Sequence, residues 1–112
     1  MIKHKKKKGS DFEREIAKDL QVLDPNAKRM VLSGAVKGLE TDIWTKLPFA
    51  FELKRQERLN LYRAFQQAII QSIGGRVPVL VVKSSNKPTL ACMKWEDWLN
   101  LTFSALKGGY ER

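Results

Sequence analysis

Residues 41–54 read TDIWTKLPFAFELK. Asp42–Thr45 and Phe49–Lys54 are rich in strand formers, and Lys46-Leu47-Pro48 supplies a turn, so the stretch predicts a two-stranded hairpin. A three-residue loop pairs Thr45 with Phe49. The same antiparallel register pairs Trp44 with Ala50, Ile43 with Phe51 and Asp42 with Glu52. Strand alternation then puts Ile43, Phe49, Phe51 and Leu53 on one side and Asp42, Trp44, Ala50, Glu52 and Lys54 on the other. A one-residue slip would mix the two sets, which supports the register.

The polar side is where chemistry is expected. Opposed side chains in a sheet sit roughly 4.5–5.5 Å apart at Cβ, and two like charges that close destabilise it unless something neutralises them. A divalent cation does so, and Mg²⁺ typically binds one or two carboxylates plus substrate phosphate. Lys54 lies two residues beyond Glu52 and shares its face. An amine there can orient or deprotonate a water, or offset charge on a phosphate oxygen. A solvated hairpin face can also carry Asp, Glu and Lys, and an E-x-K tripeptide by itself is common. The register-matched Asp42 is what makes the set specific.

Asp42, followed ten residues later by Glu52-Leu53-Lys54, resembles the bipartite signature of the PD-(D/E)XK nuclease superfamily, with Thr41 where a proline often stands. Within it the chain is most similar to archaeal-type Holliday-junction resolvases and their phage relatives. Those are small basic proteins with a glutamate on the first helix and a Gly-Gly before a late apolar strand. Here the matching stretches are Gly9-Ser10-Asp11-Phe12-Glu13-Arg14-Glu15 and Ile73-Gly74-Gly75-Arg76 running into Val77–Lys83. The resemblance spans roughly residues 9 to 83.

The resemblance implies an α/β fold: a single-domain restriction-endonuclease-like sandwich with a mixed central sheet flanked by helices. It implies Mg²⁺, with Mn²⁺ substituting, held by Glu13, Asp42, Glu52 and the Leu53 carbonyl. Lys54 would activate the attacking water. Ser33 matches the serine of a family loop whose arginine does not align well, since Arg29 falls inside the preceding strand. Gln67, in Gln67-Ala68, takes the place of a glutamine that several branches carry near the metal. The resolvases it resembles are homodimers that act on four-way DNA junctions.

The whole chain sets bounds. Its 112 residues suit one domain with a modest core, and a formal charge of +9 points to a polyanion, nucleic acid ahead of a membrane surface. No run approaches a membrane span and no signal peptide is visible, so a cytoplasmic protein of a phage or prokaryotic host is expected. One cysteine, Cys92, excludes an internal disulfide or a cysteine zinc cluster, and the lone His4 sits among lysines. No phosphate-binding glycine loop is present.

Along the chain, residues 1–9 read as a disordered basic tail, with Lys5, Lys6, Lys7 and Lys8 placed to contact DNA phosphates. The folded domain is expected over 10–106, with fraying over 107–112. Ser10-x-x-Glu13 forms a capping-box pattern that opens helix one, Phe12, Ile16, Leu20 and Leu23 make its apolar stripe, and Pro25 stops it. Glu13 can serve the cap or reach inward toward a metal, and Arg14 follows it as a DNA contact. Ala27–Leu32 reads as a strand. A loop over 33–38 carries Ser33 and Lys37 toward DNA, with two glycines allowing close approach. Arg55 and Arg58 extend the basic surface. A helix from Asn60 or Leu61 to Ile73 presents Gln67, and Gly74-Gly75 ends it. Val77–Val82 is a strand covered on both faces and reached by a crossover. Thr89–Met93 is a further strand. Trp95–Leu101 is a short helix whose Trp95, Trp98, Leu99 and Leu101, with Phe103, suit a homodimer interface.

The expected function is a metal-dependent endonuclease of branched DNA. The alternatives are a nuclease of nicks, flaps or duplex, or a non-catalytic basic nucleic-acid-binding module. The module leaves the Asp42/Glu52 pair unexplained, because two carboxylates without metal repel phosphate.

Overall fold

The computed structural model of the chain describes residues 2–30, 43–72 and 74–109, and for 2–9 and 109 only the course of the backbone. Its elements are α1 (Ile2–Leu20), β1 (Lys28–Arg29), β2 (Ile43–Trp44), β3 (Phe49–Arg55), α2 (Leu61–Gln71), β4 (Val77–Lys83), β5 (Leu90–Cys92) and α3 (Trp95–Gly109). A two-stranded antiparallel sheet, β1-β2, accompanies a mixed sheet in the order β3-β4-β5. β3 and β4 run parallel, joined through α2, and β5 returns antiparallel to β4. This is an α/β fold with helices on both faces of a mixed sheet, as expected.

The sheet's two faces are dressed by different helices. On one, Phe12, Ile16 and Ala17 of α1 meet Ile43, Leu53, Val79 and Val81, with Phe49 and Phe51 packed alongside. On the other, Ala64 and Ala68 of α2 meet Leu80, with Val82 beside them. The unbroken apolar run of β4 therefore feeds both cores, odd residues to α1 and even residues to α2. Each such buried aliphatic or aromatic side chain contributes about 1.5–3 kcal/mol. The β2–β3 alternation holds: Ile43, Phe49, Phe51 and Leu53 share the α1 side.

The hairpin ladder does not form as the residue pattern predicts. β2 pairs with β1 instead, Lys28 opposite Trp44 and Arg29 opposite Ile43. β3 pairs with β4, Glu52 opposite Leu80 and Lys54 opposite Val82. The cause lies at the turn. Arg76 Nη1 donates to the Thr45 carbonyl at 2.7 Å and to the Phe49 carbonyl at 3.3 Å, the two carbonyls that the Thr45–Phe49 pair would use. A guanidinium thus stands where ladder bonds were expected, and a hollow of about 260 Å³ opens between the strands, lined by Trp44, Ala50, Gln71 and Arg76 among others. The predicted Asp42–Glu52 pair lies outside the described residues at Asp42.

Both outer helices are longer than expected. α1 starts at Ile2, so the lysine run placed in a disordered tail continues the helix backbone; lysine is a good helix former and nothing before Gly9 breaks the run. Ser10 is consequently interior and caps nothing. At its other end α1 stops at Leu20, leaving Leu23 in the following turn and exposed. α3 continues to Gly109, past both the predicted stop at Leu101 and the predicted fraying from Lys107. α2 starts where expected: the Asn60 side chain accepts from the Arg63 N–H. It ends at a Ser72 cap, just before Gly74 and Gly75, whose φ values of +73° and +74° suit glycine.

Candidate active site

The site is built from β3 outward. Leu53 turns into the α1-side core, and that anchor turns its neighbours Glu52 and Lys54 to the α2 side. Glu52 is 6% exposed and Lys54 half-buried. A carboxylate that far from water is costly unless partnered or neutralised, and Glu52 does have partners in the folded chain. Lys54 opens onto a small polar hollow of about 130 Å³ whose other walls include Gln56, Asn60, Arg63 and Gln67. Gln67, expected near the centre from the sequence, is thus brought to Lys54. Arg63, one turn earlier on α2, joins them and was not foreseen.

Glu13 has a definite partner. Arg29 Nε donates to Glu13 Oε1 at 2.7 Å, and Arg29 Nη2 donates to Ser10 Oγ at 3.0 Å. The Ser10-x-x-Glu13 pattern that suggested a cap is instead two side chains one helical turn apart gripping a single guanidinium on β1. Arg29 pairs with Ile43 in the ladder, so the grip holds Glu13 against the strand pair that leads from Asp42. The sequence signal for Arg29 was weak, because the partners are separated by about four helical turns of chain.

A second polar centre, also unforeseen, fixes the turn between β2 and β3. Asp24 is fully buried. The Thr45 hydroxyl and Lys46 N–H donate to its Oδ2 at 2.7 and 3.0 Å, and the Asn26 N–H donates to Oδ1 at 3.1 Å. The Thr45 hydroxyl, then the Lys46 N–H, hold the Asp24 carboxyl below its ordinary value of 3.8, outweighing burial, which pushes it up. Asp24 precedes Pro25, so its sequence context reads as a helix stop and hides the long-range role.

The remaining expected residues separate. Arg14 is on the surface, 3.4 Å from Asp11. Arg58 is exposed. Arg55 turns to the face opposite Lys54, with its Nη1 buried and lacking a hydrogen-bond partner among the described residues. Lys5, Lys6, Lys7 and Lys8 lie on α1. Asp42, Ser33 and Lys37 lie outside the described residues. Among the described residues no three acidic, His or Cys groups converge on a metal-sized point. Glu13, on α1 and held by Arg29, and Glu52, turned to the α2 side of the sheet, are separate carboxylates; each is a hard oxygen donor, the class that suits Mg²⁺ or Mn²⁺ rather than a soft metal.

A family model described as "Phage putative PDDEXK endonuclease" matches residues 4–108. The chain belongs to this family. No curated protein and no solved structure was found to match it. The Glu52-Leu53-Lys54 tripeptide lies on β3, the strand whose alternation turns both charged groups to one face. Among the described residues no helix of this endonuclease is long and apolar enough to cross a membrane.

Proposed function

We propose that the protein is a Mg²⁺-dependent endonuclease that cuts branched DNA, with four-way junctions preferred. The observation that carries the reading is Glu52 and Lys54 side by side on the α2 face of β3, one nearly buried and the other opening onto a polar hollow, in a chain of the PD-(D/E)XK family. Glu13, Asp42, Glu52 and the Leu53 carbonyl would hold the ion, with Mn²⁺ able to replace Mg²⁺. When bound, the ion would polarise the scissile phosphate and stabilise the leaving 3′ oxygen.

The chain's own groups do the rest. The Lys54 amine orients the attacking water and takes or offsets its proton. Gln67, on the wall of the same hollow, hydrogen-bonds that water or the phosphate. Lys5–Lys8, Arg14, Lys37 and Arg58, with Ser33, supply phosphate contacts that position the duplex arms without reading sequence. Resolution of a four-way junction takes two cuts on opposed strands, and so two copies of the chain.

The test is a panel of labelled duplex, nicked, flap and four-way DNAs incubated with Mg²⁺. Paired symmetric nicks on the four-way DNA are expected. Equal cutting of plain duplex would replace junction specificity with a general nuclease activity, and no cutting of any substrate with Mg²⁺ or Mn²⁺ would sink the enzymatic reading.

A further inference from the structure

The hollow between β2 and β3 takes no part in the site around Glu52 and Lys54, and it is built from groups of a different kind. Its volume of about 260 Å³ falls just under the ~300–1,000 Å³ of a site for a drug-sized ligand, which suits a single ring system. It exists because Arg76 parts the two strands, and among the described residues β3 has no ladder partner on that side. Its walls are aromatic at Trp44, Phe49 and Phe51 and polar at Gln71 and Arg76.

Three of these groups have capacity to spare. Trp44 is 42% exposed, and Lys28 Nζ stands over one face of its ring, 5.9 Å from the centroid, which leaves the opposite face for a second planar group. Gln71 is half-buried, yet its side-chain amide has no hydrogen-bond partner among the described residues, and an amide offers both donors and an acceptor. Arg76 is pinned through Nη1 alone, so among the described residues its Nε and Nη2 donors stay uncommitted.

We propose that this hollow holds one unstacked nucleobase of the bound DNA, an inference that rests on the reading of the chain as a nuclease of branched DNA. The base lies against the Trp44 ring, its edge meets the Gln71 amide, and Lys28 and Arg76 face the flanking phosphates. Charge agrees, because the hollow has a basic residue on its wall and no acidic residue in its lining. Position agrees as well. Ala50 lines the hollow and shares a face with Glu52 and Lys54, two and four residues along β3, or about 7 and 13 Å at ~3.3 Å per residue. A DNA strand advances ~3.4 Å along the helix axis per nucleotide, so the hollow lies about two base steps from Glu52. In continuous duplex a base there is paired and stacked, and drawing it out costs a few kcal/mol. At a branch point a base that has lost its pairing or stacking neighbour enters at little cost. The hollow thus distinguishes interrupted from continuous duplex by a contact that any base can make.

The test is binding to a four-way DNA in EDTA, where nothing is cut. Bases flanking the branch point are replaced one at a time by abasic sites. At one of these positions the wild-type protein is expected to bind roughly 5- to 100-fold more weakly, the effect of losing one base–aromatic stack. Trp44→Ala should bind the intact and the abasic DNA alike, and Trp44→Phe should restore the difference. Gln71→Leu, on a different element, should shrink it. Affinity for continuous duplex should stay at the wild-type level in all three variants, with circular dichroism reporting that each is folded. No abasic effect at any position in the wild type overturns the proposal, and so does an effect that survives Trp44→Ala, or an absence of binding. Displacement of the DNA by free deoxyadenosine monophosphate at comparable concentration also overturns it, since the hollow would then be a nucleotide site. Cutting assays with Mg²⁺ report separately. A protein that cuts branched DNA without any abasic effect loses this inference and keeps the function proposed above, whereas one that shows the effect and cuts nothing keeps the inference and loses that function.

Discussion

Replacing Arg29 by Met removes the guanidinium held between Glu13 and Ser10 while keeping an unbranched apolar stem. Both Arg29 and Glu13 side chains are a little over one-fifth exposed, and the contact is 2.7 Å. A hydrogen bond to a charged group contributes about 1.5–3 kcal/mol when well formed. Partial solvent access and the entropy of an ordered arginine reduce that, so a loss of about 1–2 kcal/mol is expected. For a domain near this size each kcal/mol moves Tm by about 4–8 °C, which puts Arg29→Met roughly 4–16 °C below wild type in a thermal scan followed by circular dichroism. A double-mutant cycle with Glu13→Gln isolates the pair. The expected coupling is about 1 kcal/mol, well above the ~0.3–0.5 kcal/mol scatter of independent sites. A coupling inside that scatter would refute the claim that this ion pair fixes β1 to α1. The cycle also separates structure from chemistry. If Glu13 holds the ion, Glu13→Gln weakens Mn²⁺ binding in calorimetry, whereas Arg29→Met leaves that carboxylate in place.

Three further outcomes are expected. Lys54→Ala should lower turnover by roughly 10²-fold or more with Mn²⁺ affinity little changed, as single-turnover kinetics and calorimetry would show; normal cutting would make the E-x-K match coincidental. Asp24 has a depressed carboxyl, so its contribution to stability is present above the ordinary aspartate value of 3.8 and is lost as pH falls through its lower folded value. Asp24→Asn should therefore lower Tm at neutral pH, with the gap to wild type closing in acid; a constant gap across the titration would contradict this. Removing residues 1–8 should flatten the salt dependence of DNA binding, by up to about 0.9 log–log units for each phosphate that the lysines no longer neutralise, and an unchanged slope would make the lysine run a bystander.

Much of the fold was legible because it rests on local patterns. The alternation of Ile43, Phe49, Phe51 and Leu53 located the α1 face and so turned Glu52 and Lys54 the other way. Asn60 marked the start of α2, and the unbroken Val77–Val82 run marked a strand covered twice. What was not legible depends on partners distant in sequence. Nothing near Thr45 announces that Arg76, 31 residues on, takes its carbonyl and parts β2 from β3. Ser10 and Glu13 satisfy a capping rule locally, and only the fold reveals Arg29 between them. Asp24 before a proline looks like punctuation until Thr45 and Lys46 close over it. The extra length of α1 and α3 went unread for a related reason: charge repulsion argued against helix in one, and a short apolar window argued for an early stop in the other.

The two alanines under α2 have a consequence for the mouth of the site. Ala64 and Ala68 are almost wholly buried against Leu80, so the helix rides on methyl groups and lies as near the sheet as side chains permit. They act as shims. Their thickness sets the gap between Gln67 and Arg63 above and Lys54 below, and with it the size of the hollow those residues line. A valine or leucine at position 68 would lift the helix without altering a single polar group. Aperture and chemistry are therefore set by different residues, and the first can be changed while the second stays intact.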